Sequence, residues 1–137
     1  MAGDSTTFRV VQVDDVTYDF EAVAGVVVLR EAEGRRRAVR VPVALHDATA
    51  VHHAWRRVPG RRPTSAELVI TMLQELQCDV IAVRLTRYEA GVFYAELDLM
   101  SPRGRVVLDC RPSDALSWAL RQAVRAPVLC AEELLGP

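Results

Sequence analysis

The chain has 137 residues, half of them apolar, and a formal charge of −1. That length fits one domain whose core needs no disulfide or metal staple, and the charge lacks the global basicity of a typical nucleic-acid-binding domain, so any contact with a polyanion must come from a local patch. All seventeen basic residues are arginine and lysine is absent, a compositional bias that lowers the weight of arginine abundance as a sign of phosphate binding. Cys78, Cys110 and Cys130 are widely spaced, with no C-x-x-C pair for zinc or redox work, and predict buried, reduced thiols. Met1 opens a polar stretch, and no apolar run reaches the ~18 residues of a membrane helix, so a soluble cytoplasmic protein is expected.

Residues 8–16 alternate loosely, and residues 22–29 are nearly continuous in Val, Ala and Leu, the pattern of a strand covered on both faces. Residues 31–34 turn the chain back into a hairpin arm over 37–43, with Val39, Val41 and Val43 on one face and Arg40 and Pro42 on the other. Pro42 marks a sheet edge or a strand end. Ala48, Val51 and Trp55 predict a helix over 47–56 that Pro59-Gly60 ends. Over 64–77, Thr64 and Glu67 form a capping box ahead of an apolar stripe of Leu68, Met72, Leu73 and Leu76. Residues 79–87, 92–100 and 105–110 predict a three-stranded antiparallel meander. Ser113 then caps a helix over 113–124 with Leu116, Ala119, Leu120 and Ala123 on one face, residues 127–130 add a last short strand, and 132–137 read as a tail.

The expected fold is α+β, a mixed or antiparallel sheet with packed helices, in one domain over 1–137 with its core at about 8–131. Arg-Pro, a hydroxyl residue and an acid precede an apolar helix both at Arg62 and at Arg111. Two related β-α halves are one reading of this. The simpler one is that proline, Ser and Thr suit helix starts.

The richest segment for chemistry is Leu108-Asp109-Cys110-Arg111-Pro112-Ser113-Asp114, where a strand runs straight into a helix. Asp109 and Asp114 can share a divalent cation, because hard cations take carboxylate oxygens, and Arg111 can clamp a phosphate oxygen bidentately. Glu96, which shares a strand face with Tyr94 and Asp98, can complete the set. The competing reading makes Ser113 a cap, Asp114 a partner of the helix dipole and Arg111 a counter-ion, with Glu96 and Asp98 on the wet face of a sheet. The groups Arg35-Arg36-Arg37-Arg40 and Arg56-Arg57-Arg61-Arg62 suit a phosphate backbone and would make binding salt-sensitive, or else serve a solvated turn and a helix C-terminus. His46, His52 and His53 fit no compact zinc site, since His52 and His53 point about 100° apart on a helix.

Taken with Gly91-Val92-Phe93-Tyr94-Ala95, Arg62-Pro63 and Val41-Pro42-Val43, the run Arg111-Pro112-Ser113-Asp114-Ala115 resembles the bifunctional nuclease domain family, over about residues 26–135. The resemblance implies an α+β domain for which cleavage of both DNA and RNA is proposed. Two segments depart from the family pattern. Pro42-Val43-Ala44-Leu45-His46-Asp47-Ala48 stands where the family reads Pro-Ile-Trp-Ile-Gly followed by Glu-Ala, so the acid is shortened. Arg62-Pro63-Thr64-Ser65-Ala66-Glu67-Leu68 stands where it reads Arg-Pro-x-Thr-His-Asp-Leu, so an imidazole suited to proton transfer near neutral pH is replaced by Ala66.

The resulting expectation is metal-assisted hydrolysis of DNA or RNA phosphodiesters with Mg²⁺ or Mn²⁺. Asp109, Arg111 and Asp114 would be catalytic, Asp109, Asp114 and Glu96 would hold the metal, and Arg57, Arg62 and Ser113 would bind substrate. The alternative is a non-catalytic nucleic-acid- or protein-binding module of the same fold. No organic cofactor and no membrane are expected, and apolar strands with an edge at Pro42 predict a homo-oligomer.

Overall fold

Two meanders of three strands, each delivering the chain into a helix, make up most of the computed structural model, which describes residues 6–136. The first comprises β1 (Phe8–Asp19), β2 (Ala24–Glu31) and β3 (Ala38–Ala44), followed by α1 (Leu45–Arg56). After α2 (Ser65–Glu75) the second comprises β4 (Asp79–Glu89), β5 (Val92–Ser101) and β6 (Gly104–Cys110), followed by α3 (Pro112–Arg121). The last strand, β7 (Val128–Ala131), lies antiparallel to β1 and parallel to β4, giving one mixed sheet in the order β3-β2-β1-β7-β4-β5-β6. The architecture is α+β, as expected. The two halves are also present, but the helix that matches α3 is α1 and not the Arg62-Pro63 helix α2. No described helix is long and apolar enough to cross a membrane.

Local sequence accounts for the joints. Ala90 and Gly91 both take positive φ, 50° and 81°, so a two-residue turn can match the twist of β4 and β5. Pro42 sits on β3, an outer strand, where a missing N–H costs the ladder little. Thr64 accepts from the backbone N–H of Glu67 at 3.2 Å while the Glu67 carboxylate accepts from the Thr64 N–H at 3.1 Å, a complete capping box that starts α2. Three backbone and side-chain donors around that turn hold the Glu67 carboxyl below its usual range, the Thr64 N–H foremost.

The core lies between one sheet face and the helices. Val27, Leu29 and Val41 from the first half and Val83, Leu85 and Leu97 from the second meet Ala48, Val51 and Ala54 of α1 and Ala115, Leu116 and Ala119 of α3. The small helix residues let α1 and α3 pack side by side close to the sheet. Gly25 is part of that approach: a Cβ there would stand 2.5 Å from the Cβ of Ala48.

Four expectations are corrected. The α2 stripe does not face inward: Leu68, Met72 and Leu76 are 51%, 53% and 64% exposed, while Ile70 is buried and Leu73 packs on the core. Apolar residues stand on more than one side of this helix, Ile70 and Leu73 beside the Leu68, Met72 and Leu76 row, and docking on α3 selects the former. Ser113 is not a cap. Arg111 holds the N-cap position without a side-chain cap bond, and Pro112 occupies the first turn, where its fixed φ is suited and its absent N–H is not missed. The helix stops at Arg121 because Gln122 leaves it to exchange hydrogen bonds with the backbone of Val80, at 2.7 and 2.9 Å, which leaves Ala123 exposed. Residues 132–136 are not a tail: Glu132–Leu134 form a 3₁₀ turn, Leu135 enters the core, and Glu132 pairs with Arg9 and Arg37 at 3.2 Å each. Met1 and Pro137 lie outside the described residues. Of the thiols, Cys130 is buried and Cys78 and Cys110 are half-buried, all three free.

Candidate functional site

Because β3 and β6 hold corresponding positions in the two meanders, the helices that follow them start side by side. Asp47 is the third residue of α1 and Asp114 the third residue of α3, and Arg111 stands between them. Its Nε and Nη2 donate to the two oxygens of Asp114 at 3.0 and 3.1 Å, and its Nη1 donates to Asp47 Oδ2 at 3.0 Å. The two acids hold the Arg111 guanidinium above its usual range, Asp114 first. Arg111 remains 61% exposed against 16% for Asp47, so the cation is at the rim and one of its acids is set into the surface.

Beside this triad is an open cleft of about 320 Å³, lined by Pro42 and Val43 of β3, Val92 and Phe93 at the start of β5, and Pro112 and Ser113 of α3. Segments far apart in the chain thus converge: Val41-Pro42-Val43, Gly91-Val92-Phe93 and Arg111-Pro112-Ser113 all line it. Ser113 is buried at its wall. The Cys110 thiol just behind is pushed up to about 11, by burial first and then by the carboxylates of Asp114 and Asp109; it is no nucleophile near neutral pH.

The other expected site residues are elsewhere. Leu97 pairs with Leu108 and Glu96 with Asp109 in the β5–β6 register, so Glu96 and Asp109 face each other on the sheet surface that carries no helix, away from the cleft. Asp98 is on that same surface but is not wet. It is 1% exposed and accepts from Arg84 Nη2 at 2.6 Å and from Arg105 Nε and Nη2 at 2.9 and 2.8 Å. These partners hold its carboxyl well below the ordinary range, Arg105 most strongly. Among the described residues no group of three His, Cys, Asp or Glu side chains converges as a ready metal cage.

Arg57 ends α1 in a left-handed conformation and donates from Nη2 to the carbonyls of Gln122 and Ala123. Ten residues of helix put it about 15 Å from Asp47. It lines a separate groove with Glu67, Thr71 and Arg121, and Arg62, on the loop before α2, is exposed and outside the Arg111 cleft. Ala66, where the family has histidine, belongs to α2 and does not line the cleft either. Of the arginine group near the β2–β3 turn, Arg37 is held internally by Glu31, at 2.5 Å, and by Glu132. His46 and His53 are exposed, and His52 Nδ1 lies 2.6 Å from the Tyr18 hydroxyl. In the sequence Asp47 reads as a shortened acid and as a neighbour of His46 and His53 in a set whose spacing fits no compact zinc site, not as a partner of Arg111. The signal that would have found it is the repeat of Asp-Ala at Asp47-Ala48 and Asp114-Ala115, each three residues into a helix that follows a meander.

The family model of the bifunctional nuclease domain matches residues 27–136. Two uncharacterized proteins of Mycobacterium tuberculosis, from two strains, are each 31% identical to the chain over 111 residues. The aligned part is 81% of this chain and 64% of either relative, so the chain spans somewhat less than two thirds of their length.

Proposed function

From its membership of the bifunctional nuclease domain family, to which the chain belongs, we propose that it cleaves nucleic-acid phosphodiesters at the cleft beside Asp47, Arg111 and Asp114. The observation that carries this reading is the pair of carboxylates from two helix starts, converging on one exposed guanidinium at a cleft lined by three distant segments. Phosphodiester hydrolysis needs positive charge on the phosphate and a positioned water. Arg111 meets the first need: its exposed side chain can leave one acid and hold a phosphate oxygen through its planar fork. Asp47 and Asp114 are hard oxygen donors that both bond the Arg111 guanidinium, so a cation seated in its place would have both to draw on. With only two carboxylates they suit Mg²⁺ or Mn²⁺, which keep waters and take phosphate oxygens as remaining ligands, better than an ion that wants a full protein cage. Bound there, such a cation would supply Lewis-acid neutralisation and an acidified water. The apolar wall of Pro42, Val92 and Phe93 suits a sugar or base face. Arg57 and Arg62 would reach only a strand that continues about 15 Å along the helical layer.

Two observations favour a second reading, nucleic-acid or protein binding without hydrolysis. Arg111 is already neutralised by two acids, and the cleft lining includes no histidine. The deciding experiment is cleavage of labelled single- and double-stranded DNA and RNA with Mg²⁺, Mn²⁺ or EDTA, by the full chain and by identically purified Asp47→Asn, Asp114→Asn, Arg111→Ala and Asp109→Ala variants. Metal-dependent cutting that falls about a hundredfold or more in Asp47→Asn and Asp114→Asn supports the cleft. Loss in Asp109→Ala alone would move the chemistry to the open sheet face. Absence of cutting by the unaltered chain, with salt-sensitive binding of the same substrates, would establish the binding reading.

A further inference from the structure

β6 has a strand neighbour on one side only, and it carries no proline and no bulge in its pairing with β5, its charges standing only at Arg105 and Asp109. The opposite edge strand, β3, has Pro42. β6 instead presents Val106, Val107 and Leu108 in succession, 39%, 44% and 46% exposed. The cause is the helical layer: α3 packs on β4 and β5, and β6 extends beyond it. Val106 and Leu108 pair with Leu99 and Leu97 on the helix side of the sheet, while Val107, opposite Asp98, is on the open side. Both faces of the strand are therefore apolar at its centre, beside a row of N–H and C=O groups with no ladder partner.

The segment Arg105-Val106-Val107-Leu108-Asp109 is also complementary to itself. In an antiparallel pair of such strands centred on Val107, Arg105 of each copy stands opposite Asp109 of the other, and Val106 opposite Leu108. Arg105, Val107 and Asp109 share one face, so the opposite charges meet as direct cross-strand pairs. Arg105 bonds Asp98 of β5 through Nε and Nη2, and more than half of its side chain stays in solvent. Asp109 is exposed and has no ion-pair partner among the described residues of its own chain. We propose that β6 pairs antiparallel with β6 of a second copy of this chain about a two-fold axis at Val107, joining the two sheets into one. A two-fold pairing closes the β6 edge on both copies, and the edges that remain are the β3 strands, each interrupted by Pro42.

The test is sedimentation of the full chain from nanomolar to about 100 μM, beside Val107→Lys, Asp109→Arg and, on the exposed stripe of α2, Met72→Lys, each checked for native circular dichroism. The unaltered chain should dimerise, with a Kd that rises with salt. Val107→Lys sets two ammonium groups against each other at the axis and should abolish the dimer. Asp109→Arg replaces two attractions by two repulsions and should raise Kd at least about tenfold, with added salt now lowering it; that reversal distinguishes a broken pair from a loosened fold, even if Val107→Lys fails to fold. Met72→Lys should change nothing. A chain monomeric at every concentration overturns the proposal, as does a dimer that survives both β6 substitutions or dissociates only with Met72→Lys.

Discussion

Asp98→Asn removes the acceptor at the centre of the second meander and leaves its shape almost unchanged. In the native protein the carboxylate is buried and takes four charge-assisted hydrogen bonds from three N–H groups of Arg84 and Arg105. Removing one partner of a fully buried ion pair costs about 3–5 kcal/mol, because the other charge is stranded. Here the penalty is smaller, since Arg105 can turn into water while Arg84, 19% exposed and left only Glu96 at 3.9 Å, cannot turn as freely. A loss of about 2–3 kcal/mol follows. For a chain of this length that lowers Tm by roughly 10 °C and the urea midpoint by about 1 M. The pH dependence carries the sharper test. The Asp98 carboxyl is held below its ordinary value of 3.8, so its contribution is complete above that value and is lost as pH falls through the lower, folded value. The difference between the two proteins, measured by urea unfolding at a series of pH values, should be constant from pH 7 to 5 and shrink below about 3.8. A loss below about 1 kcal/mol, or one that is undiminished at the acid end, would refute the argument that the carboxylate is what holds these arginines.

The remaining predictions concern the frame of the cleft and the C-terminal segment. Gly25→Ala should cost about 1–3 kcal/mol in chemical denaturation, because the new methyl meets Ala48 at 2.5 Å and pushes α1 from the sheet; any cleavage activity should fall with it as Asp47 shifts. Leu135→Ala should cost about 2–4 kcal/mol, since this side chain is in the core, whereas a true tail would tolerate it. With a thiol reagent at pH 8, one cysteine should react promptly. That residue should be Cys78, identified by mass spectrometry, since burial pushes Cys110 up to about 11 and Cys130 up to about 12.

The sequence by itself determined the local structure: the capping box at Thr64 and Glu67, a turn between residues 87 and 92, an edge or strand end at Pro42, the three-stranded meander and the family. Each depends on interactions within a few residues or on a period of two or 3.6, and such signals survive without knowledge of packing. The Arg-Pro-Ser-Asp joint was also legible as a place for polar groups. Its partners were not. Strand alternation sends Asp109 to the face away from the helices, while Asp47, which is sixty-four residues from Arg111 along the chain, arrives beside it because two meanders sit back to back around β7. Which apolar stripe of α2 turns inward, that Leu135 closes the core, and that Asp98 is enclosed by two arginines were likewise decided by the tertiary structure alone. A side chain's hydrophobicity says that it can be buried; only the assembled layers say what is available to bury it.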